Sequence, residues 1–147
     1  MTLDFLGLFL HLAGFVIGLG AVTVIDLHGF LGRKSSYWTE ATIRTHKVTK
    51  PLIWLGILLL LIGGTLFFRG HYGEVIPRAE LLLGILLIVN GCFLSFWVSP
   101  RLLAREAAGK AQELLPAAWQ RLITVSFLFS FVGWWGSLIL TVLFLFR

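Results

Sequence analysis

Charge is scarce in this chain: 13% of its 147 residues are Asp, Glu, Lys or Arg. A water-soluble domain carries about 25%, because its outer surface faces water. Half that share excludes an ordinary soluble surface and leaves a protein bounded mainly by lipid. Cysteine is nearly absent too. The single Cys92 excludes an internal disulfide, and its place within an apolar run makes it a small hydrophobe. Met1 is the only methionine, which excludes a methionine-rich copper relay. No phosphate-binding glycine loop, zinc-hydrolase helix or nucleophile elbow occurs, so hydrolase and nucleotide chemistry have no support. No run alternates in polarity, which excludes a β-barrel. No basic region precedes the first apolar stretch, which runs too long for a signal core, so the sequence predicts that it stays as a helix.

What is abundant is apolar and aromatic. Hydrophobic residues make up 58% of the chain, with 13 Phe, 6 Trp and 16 Gly. Four apolar segments stand out, Phe5 to Ile25, Leu52 to Phe68, Leu81 to Val98 and Leu122 to Phe146. Each holds 17 to 25 residues, enough at 1.5 Å per residue to cross a hydrocarbon layer of about 30 Å. The expected fold is an all-α, single-domain, four-helix transmembrane bundle with helices near 5–28, 51–69, 79–98 and 120–146. Two more stretches, 37–50 and 101–115, read as helices along the membrane interface, the second bounded by Pro100 and Pro116. Pro51 either starts the second spanning helix or kinks a longer one.

The net charge of +5 would suit nucleic acid, but the basic residues flank spans, where topology accounts for them. Arg33, Lys34, Arg44, Lys47 and Lys50 lie between the first two segments, and Arg101, Arg105, Lys110 and Arg121 between the last two. Only Arg69, Arg78 and Arg147 fall at the opposite end. Both basic loops are therefore expected in the cytoplasm and both termini outside.

His11 is the most informative residue, an ionisable group about 10 Å into the first segment. Steps of three and four residues put His11, Gly14, Gly18, Ala21 and Ile25 on one stripe. Gly14 and Gly18 form a GxxxG pair whose groove admits a neighbouring helix or a flat macrocycle. By depth, Asn90, Trp134, Trp135 and Ser137 approach the level of His11. Two readings stand side by side. In one, His11 is a neutral packing residue bonded to Asn90 or Ser137. In the other, it ligates a haem b iron, with Trp134, Trp135 and Phe15 lining the pocket. A second constellation, Asp26, His28 and His46, gathers at the cytoplasmic end and offers imidazole and carboxylate to a metal ion, or else Asp26 pairs with Lys47, Lys50 or Arg101. Glu80, at the outer end of the third segment, is expected to pair with Arg78 or Arg69.

The stretches LFLHLAGFVIGLGAV, THKVTKPLIWLGILLLLIGG, SPRLLAREAAG and LPAAWQRL together resemble a set of small bacterial four-helix membrane proteins. The set includes an uncharacterised family of integral membrane proteins, the membrane part of copper-resistance protein D and the membrane-bound protoporphyrinogen oxidase. The uncharacterised family is the nearest in pattern. The resemblance implies a bacterial inner-membrane protein, and it matches His11 to the first-helix histidine at the oxidase haem site. The oxidase family also has a Lys at the start of its third helix and often a His further along, where this chain has Glu80 and Asn90. Three functions fit the sequence. They are haem binding with a redox or haem-handling role, a non-enzymatic accessory role in which Gly14, Gly18, Gly63 and Gly64 pack against a partner protein or a second copy, and metal-ion binding or transport through Asp26, His28 and His46.

Overall fold

The computed structural model describes residues 2–147. Four long helices carry the chain back and forth: α1 Leu3–Leu31, α2 Ser36–Phe67, α3 Val75–Ala107 and α4 Ala117–Leu145. Each is long and apolar enough to cross a membrane, and no strand occurs among the described residues. The protein is an all-α, four-helix integral membrane protein. The helix starts follow from local chemistry. The Thr2 hydroxyl accepts the Phe5 N–H at the head of α1, and the Ser35 hydroxyl accepts the Trp38 N–H at the head of α2.

The stretch 37–50, expected as a separate interfacial helix, is instead the first part of α2, which runs unbroken through Pro51. At 1.5 Å per residue its 32 residues reach about 48 Å, so its charged first turns stand clear of the hydrocarbon. The expected interfacial helix 101–115 is also corrected. Helix α3 continues through Pro100 but stops at Ala107. Gly109 takes φ +73°, and the Lys110 N–H reaches back to Arg105 O at 2.9 Å while the Gly109 N–H reaches Glu106 O. That pair of bonds is a Schellman stop, and a glycine at the left-handed position makes it inexpensive.

The helices associate in two pairs. Helix α1 lies along α2 with backbones nearly touching, because glycines face each other. A Cβ on Gly14 would sit 2.8 Å from Gly56 O, and one on Gly56 or Gly63 would collide with the backbone of Gly18 or His11. Helix α3 pairs with α4, where Gly133 receives Leu87, and the Asn90 amide and Ser126 bond reciprocally at 3.1 and 2.7 Å. Contacts between the pairs are sparser. Phe15, Val22, Ile57, Leu60, Leu87 and Trp134 fill the centre. At one end Asp4 meets Arg69 at 2.9 Å, and Arg147 meets Glu74, so the termini and the α2–α3 loop lie together. At the other, basic end Lys47 meets Glu106 at 2.7 Å and Gln112 bonds Glu40.

Two helices widen into a single π-turn, Phe15–Leu19 in α1 and Leu94–Val98 in α3. In α3 the cause and the consequence are both legible. The Ser99 N–H reaches back five residues to Leu94 O, and Pro100 has no N–H. Ser95 O is left without a backbone donor from either residue, and the Lys50 ammonium supplies one at 3.2 Å. The Ser95 hydroxyl meanwhile accepts the Trp54 indole N–H at 2.9 Å. A helix irregularity thus ties the two pairs together.

Candidate functional site

His11 lies inside the bundle, 3% exposed. The π-turn that follows it and the glycine seam against α2 set its ring between Phe15, Phe67 and Phe68, with centroids 5.1, 6.5 and 5.8 Å away. Its Nδ1 lies 2.9 Å from Leu60 O, and its Nε2 lies 3.1 Å from the Thr141 hydroxyl. Because Leu60 O can only accept, Nδ1 carries a hydrogen. The same Thr141 hydroxyl is 2.5 Å from Glu80 Oε1 and 3.1 Å from Ser137 O, while the Ser137 hydroxyl donates to Glu80 Oε2. Thr141, Ser137 and Glu80 are all buried. Glu80 therefore turns inward, not to Arg78 or Arg69 as expected. Arg69 is occupied by Asp4, and Arg78 donates to the carbonyls of Gly73 and Glu74.

Against the remaining expectations the geometry is mixed. The stripe His11, Gly14, Gly18 and Ala21 does face inward. Its groove is filled from within the chain, by Gly56 and Leu60 opposite Gly14 and by the Trp134 indole against Gly18. A second copy therefore cannot dock on Gly14 and Gly18. Trp134 is 1% exposed, but Trp135, one residue on, is 42% exposed and faces outward. Asn90 and Ser137 do not bond His11; Asn90 serves Ser126 and Ser137 serves Glu80. Thr141, which the sequence reading missed, is the actual partner.

These residues do not fit a haem. Both ring nitrogens of His11 are engaged. The void beside it, lined by His11, Gly64, Tyr72, Glu80 and Ser137 among others, measures about 70 Å³. That is under half the roughly 150 Å³ that holds one benzene ring, far short of a porphyrin. Gly64 leaves no gap for a macrocycle either, since a Cβ there would lie 3.2 Å from the imidazole.

A larger hollow lies toward the basic end. It measures about 210 Å³ and is walled by all four helices, mostly with apolar side chains. Polar groups reach it as well, among them Asp26 from α1, Arg33 beyond its end, His46 and Lys50 from α2, Asn90 from α3 and Ser130 from α4. His46 Nε2 is buried with no hydrogen-bond partner among the described residues. The Asp26 carboxylate pairs with none of its expected cations. Lys47 goes to Glu106, Lys50 to Ser95 O, and Arg101 stacks over Trp97 at 3.9 Å. Phe30 of α1 and Leu128 of α4 also line the hollow, and both are exposed. The exposed Arg33, beyond the end of α1, lines it too, so the hollow reaches the surface beside the basic end of α1 and beside α4.

The metal expectation is corrected. Among the described residues no three His, Cys, Asp or Glu side chains converge as a metal cluster. His28 is turned aside, its Nδ1 3.2 Å from the Thr45 hydroxyl and its ring 5.1 Å from Trp38. Only Asp26 and His46 of the three reach the hollow.

What the fold and these sites define is a class, a small four-helix integral membrane protein with a buried His–Thr–Glu–Ser network and a separate interior hollow. Compared with protein families, curated proteins and solved structures, the chain gives no match.

Proposed function

We propose that this is a non-enzymatic protein of a bacterial inner membrane, basic end in the cytoplasm, that takes a small amphipathic molecule from the bilayer into its larger hollow. The observation that carries the reading is the coincidence of an apolar hollow with unpartnered polar groups inside it. In hydrocarbon an unpartnered polar atom costs several kcal/mol. A ligand that brings a donor to Asp26 and an acceptor or donor to His46 removes that cost. The volume suits a single substituted ring, somewhat larger than the benzene held by a cavity of about 150 Å³. The mouth beside Phe30 and Leu128 leaves an alkyl tail in lipid. The basic ends of the helices support the orientation through the positive-inside rule.

The test is native mass spectrometry of protein purified in mild detergent, with solvent extraction of what stays bound. A small molecule that copurifies with the wild type and is lost from an Asp26→Leu, His46→Phe double variant supports the reading. Identical complements in both proteins, or none above the detergent blank, overturns it. Trp54 and Trp134 both line the hollow, so ligand addition should also change their emission.

A further inference from the structure

We propose that His11 and Glu80 share one dissociable proton through the Thr141 hydroxyl, forming a proton-exchange site within the membrane that is reached from the end where the termini lie. Counting hydrogens leads there. Leu60 O fixes a hydrogen on Nδ1, and the Ser137 hydroxyl serves Glu80 Oε2. What remains is Nε2 at 3.1 Å and Oε1 at 2.5 Å, both facing a hydroxyl with a single hydrogen.

With no dissociable proton on the pair, Nε2 and Oε1 are both acceptors that compete for that hydrogen, and the site holds an uncompensated negative charge away from bulk water. With two, the hydrogen bonds can be met if Thr141 donates to Ser137 O, 3.1 Å away. The site would then hold an uncompensated positive charge away from water, which is strongly disfavoured. One proton satisfies both conditions, and it has two arrangements. In the first, Glu80 Oε1–H donates to Thr141 Oγ1, whose hydrogen donates to Nε2. In the second, the Thr141 hydrogen has moved to Nε2 and the Glu80 hydrogen to Thr141. One O–H bond breaks at each oxygen, one N–H and one O–H form, and the pair stays neutral overall.

Access comes from the small void. It measures about 70 Å³ and is lined by His11, Glu80, Ser137 and the partly exposed Thr65 and Tyr72. One water needs about 10–15 Å³ on this measure and two to four polar partners, both of which the void supplies. Leu87 forms part of its wall and lines the larger hollow as well. The facing groups are few. Helix α1 gives only His11, α2 gives Thr65 and no charge, the α2–α3 loop gives Tyr72, α3 gives Glu80, and α4 gives Ser137 and Thr141. Arg69, His71, Glu74, Arg78 and Arg147 are engaged at the surface beyond.

The experiment counts protons on the intact protein in nanodiscs at neutral pH. Infrared difference spectra read the protonated-carboxyl stretch, assigned by its loss in Glu80→Gln. Nitrogen-15 NMR of histidine-labelled protein reads His11 Nε2, assigned with His11→Gln. The expected sum over the two groups is one proton, whichever group holds it. Thr141→Val should shift both signals, and Thr141→Ser, which keeps the hydroxyl, should restore them. Gly84→Leu, which puts bulk into the small void, should slow deuterium exchange of the shared proton. A sum of zero or two, or signals unmoved by Thr141→Val in protein that retains its helical content, overturns the proposal. Exchange as fast in Gly84→Leu as in wild type overturns the access route.

Discussion

Gly63→Ala tests the seam on which both sites depend. The added methyl would lie 2.7 Å from His11 Cα and 2.8 Å from Gly7 O, and closer still to the His11 nitrogen. All three are backbone atoms, so no rotamer change makes room. Carbon contacts are comfortable at about 3.5–4.0 Å, and restoring that distance parts α1 from α2 by about 1 Å. Overpacking of this kind costs about 1–3 kcal/mol. The same movement stretches the bond from His11 Nδ1 to Leu60 O beyond its present 2.9 Å, and an interhelical bond in a membrane protein is worth about 0.6 and at most about 1.7 kcal/mol. Replacing glycine by alanine inside a helix returns about 0.5–1 kcal/mol. The net expectation is a loss of about 2 kcal/mol. Gly84→Ala is the control, because its methyl meets only Leu61 Cδ2 at 3.9 Å, and it should be neutral or slightly stabilising. Reversible unfolding in mixed micelles, titrated with dodecyl sulfate and followed by circular dichroism, reads both. If the two variants fall within about 0.5 kcal/mol of each other, outside which single-site effects become meaningful, the close approach of α1 and α2 is wrong.

Three further outcomes follow from particular contacts. Lys50→Met should cost about 1 kcal/mol in the same titration, because Ser95 O then has neither its helical donor nor the ammonium; a neutral result would mean that the widened turn satisfies that carbonyl otherwise. Gly109→Ala should cost about 1 kcal/mol, since an alanine resists φ +73°, and proteolysis after Lys110 should speed up; unchanged cleavage would refute the stop. Arg69→Ala should change stability by no more than about 0.5 kcal/mol, as its pair with Asp4 is about half exposed on both sides; a larger loss that salt does not screen would show that the ion pair is more than a surface contact.

Much of the bundle was legible because hydrocarbon imposes simple rules. Span length and the absence of polar alternation follow from the bilayer alone. The inward face of α1 was legible because His11, Gly14, Gly18 and Ala21 repeat at helical spacing among larger residues. Glu80 was misread because it lies near a helix end, where snorkelling to the interface is the cheaper default, and because α3 is apolar all round and gives no rotational cue. The cue lay on another helix. Ser126, Ser130, Ser137 and Thr141 form a stripe of small hydroxyls down α4, and all four are buried. Their spacing marks the face that a buried carboxylate would seek. Gly109 likewise announced the end of α3 inside a stretch whose leucines suggested a longer helix. The convergence of Asp26 and His46 on a hollow, with His28 turned away, depends on how the two helix pairs meet, which no local pattern records.

That meeting has a consequence for how the molecule is made. Each pair is a helical hairpin in chain order, one sealed by glycine and the other by Leu87 in Gly133 and by Asn90 with Ser126. Lipid exerts no hydrophobic pull between helices, so what holds one hairpin to the other is the close packing of Trp134 on Gly18 and the polar bonds that cross the gap, His11 to Thr141, Lys50 and Trp54 to Ser95, Lys47 to Glu106 and Gln112 to Glu40. The expected order of assembly is that each hairpin closes within itself and the two dock last. The tip between them, around Gly70 and Gly73, becomes the natural place to cut the gene in two and ask whether the halves find each other in the bilayer.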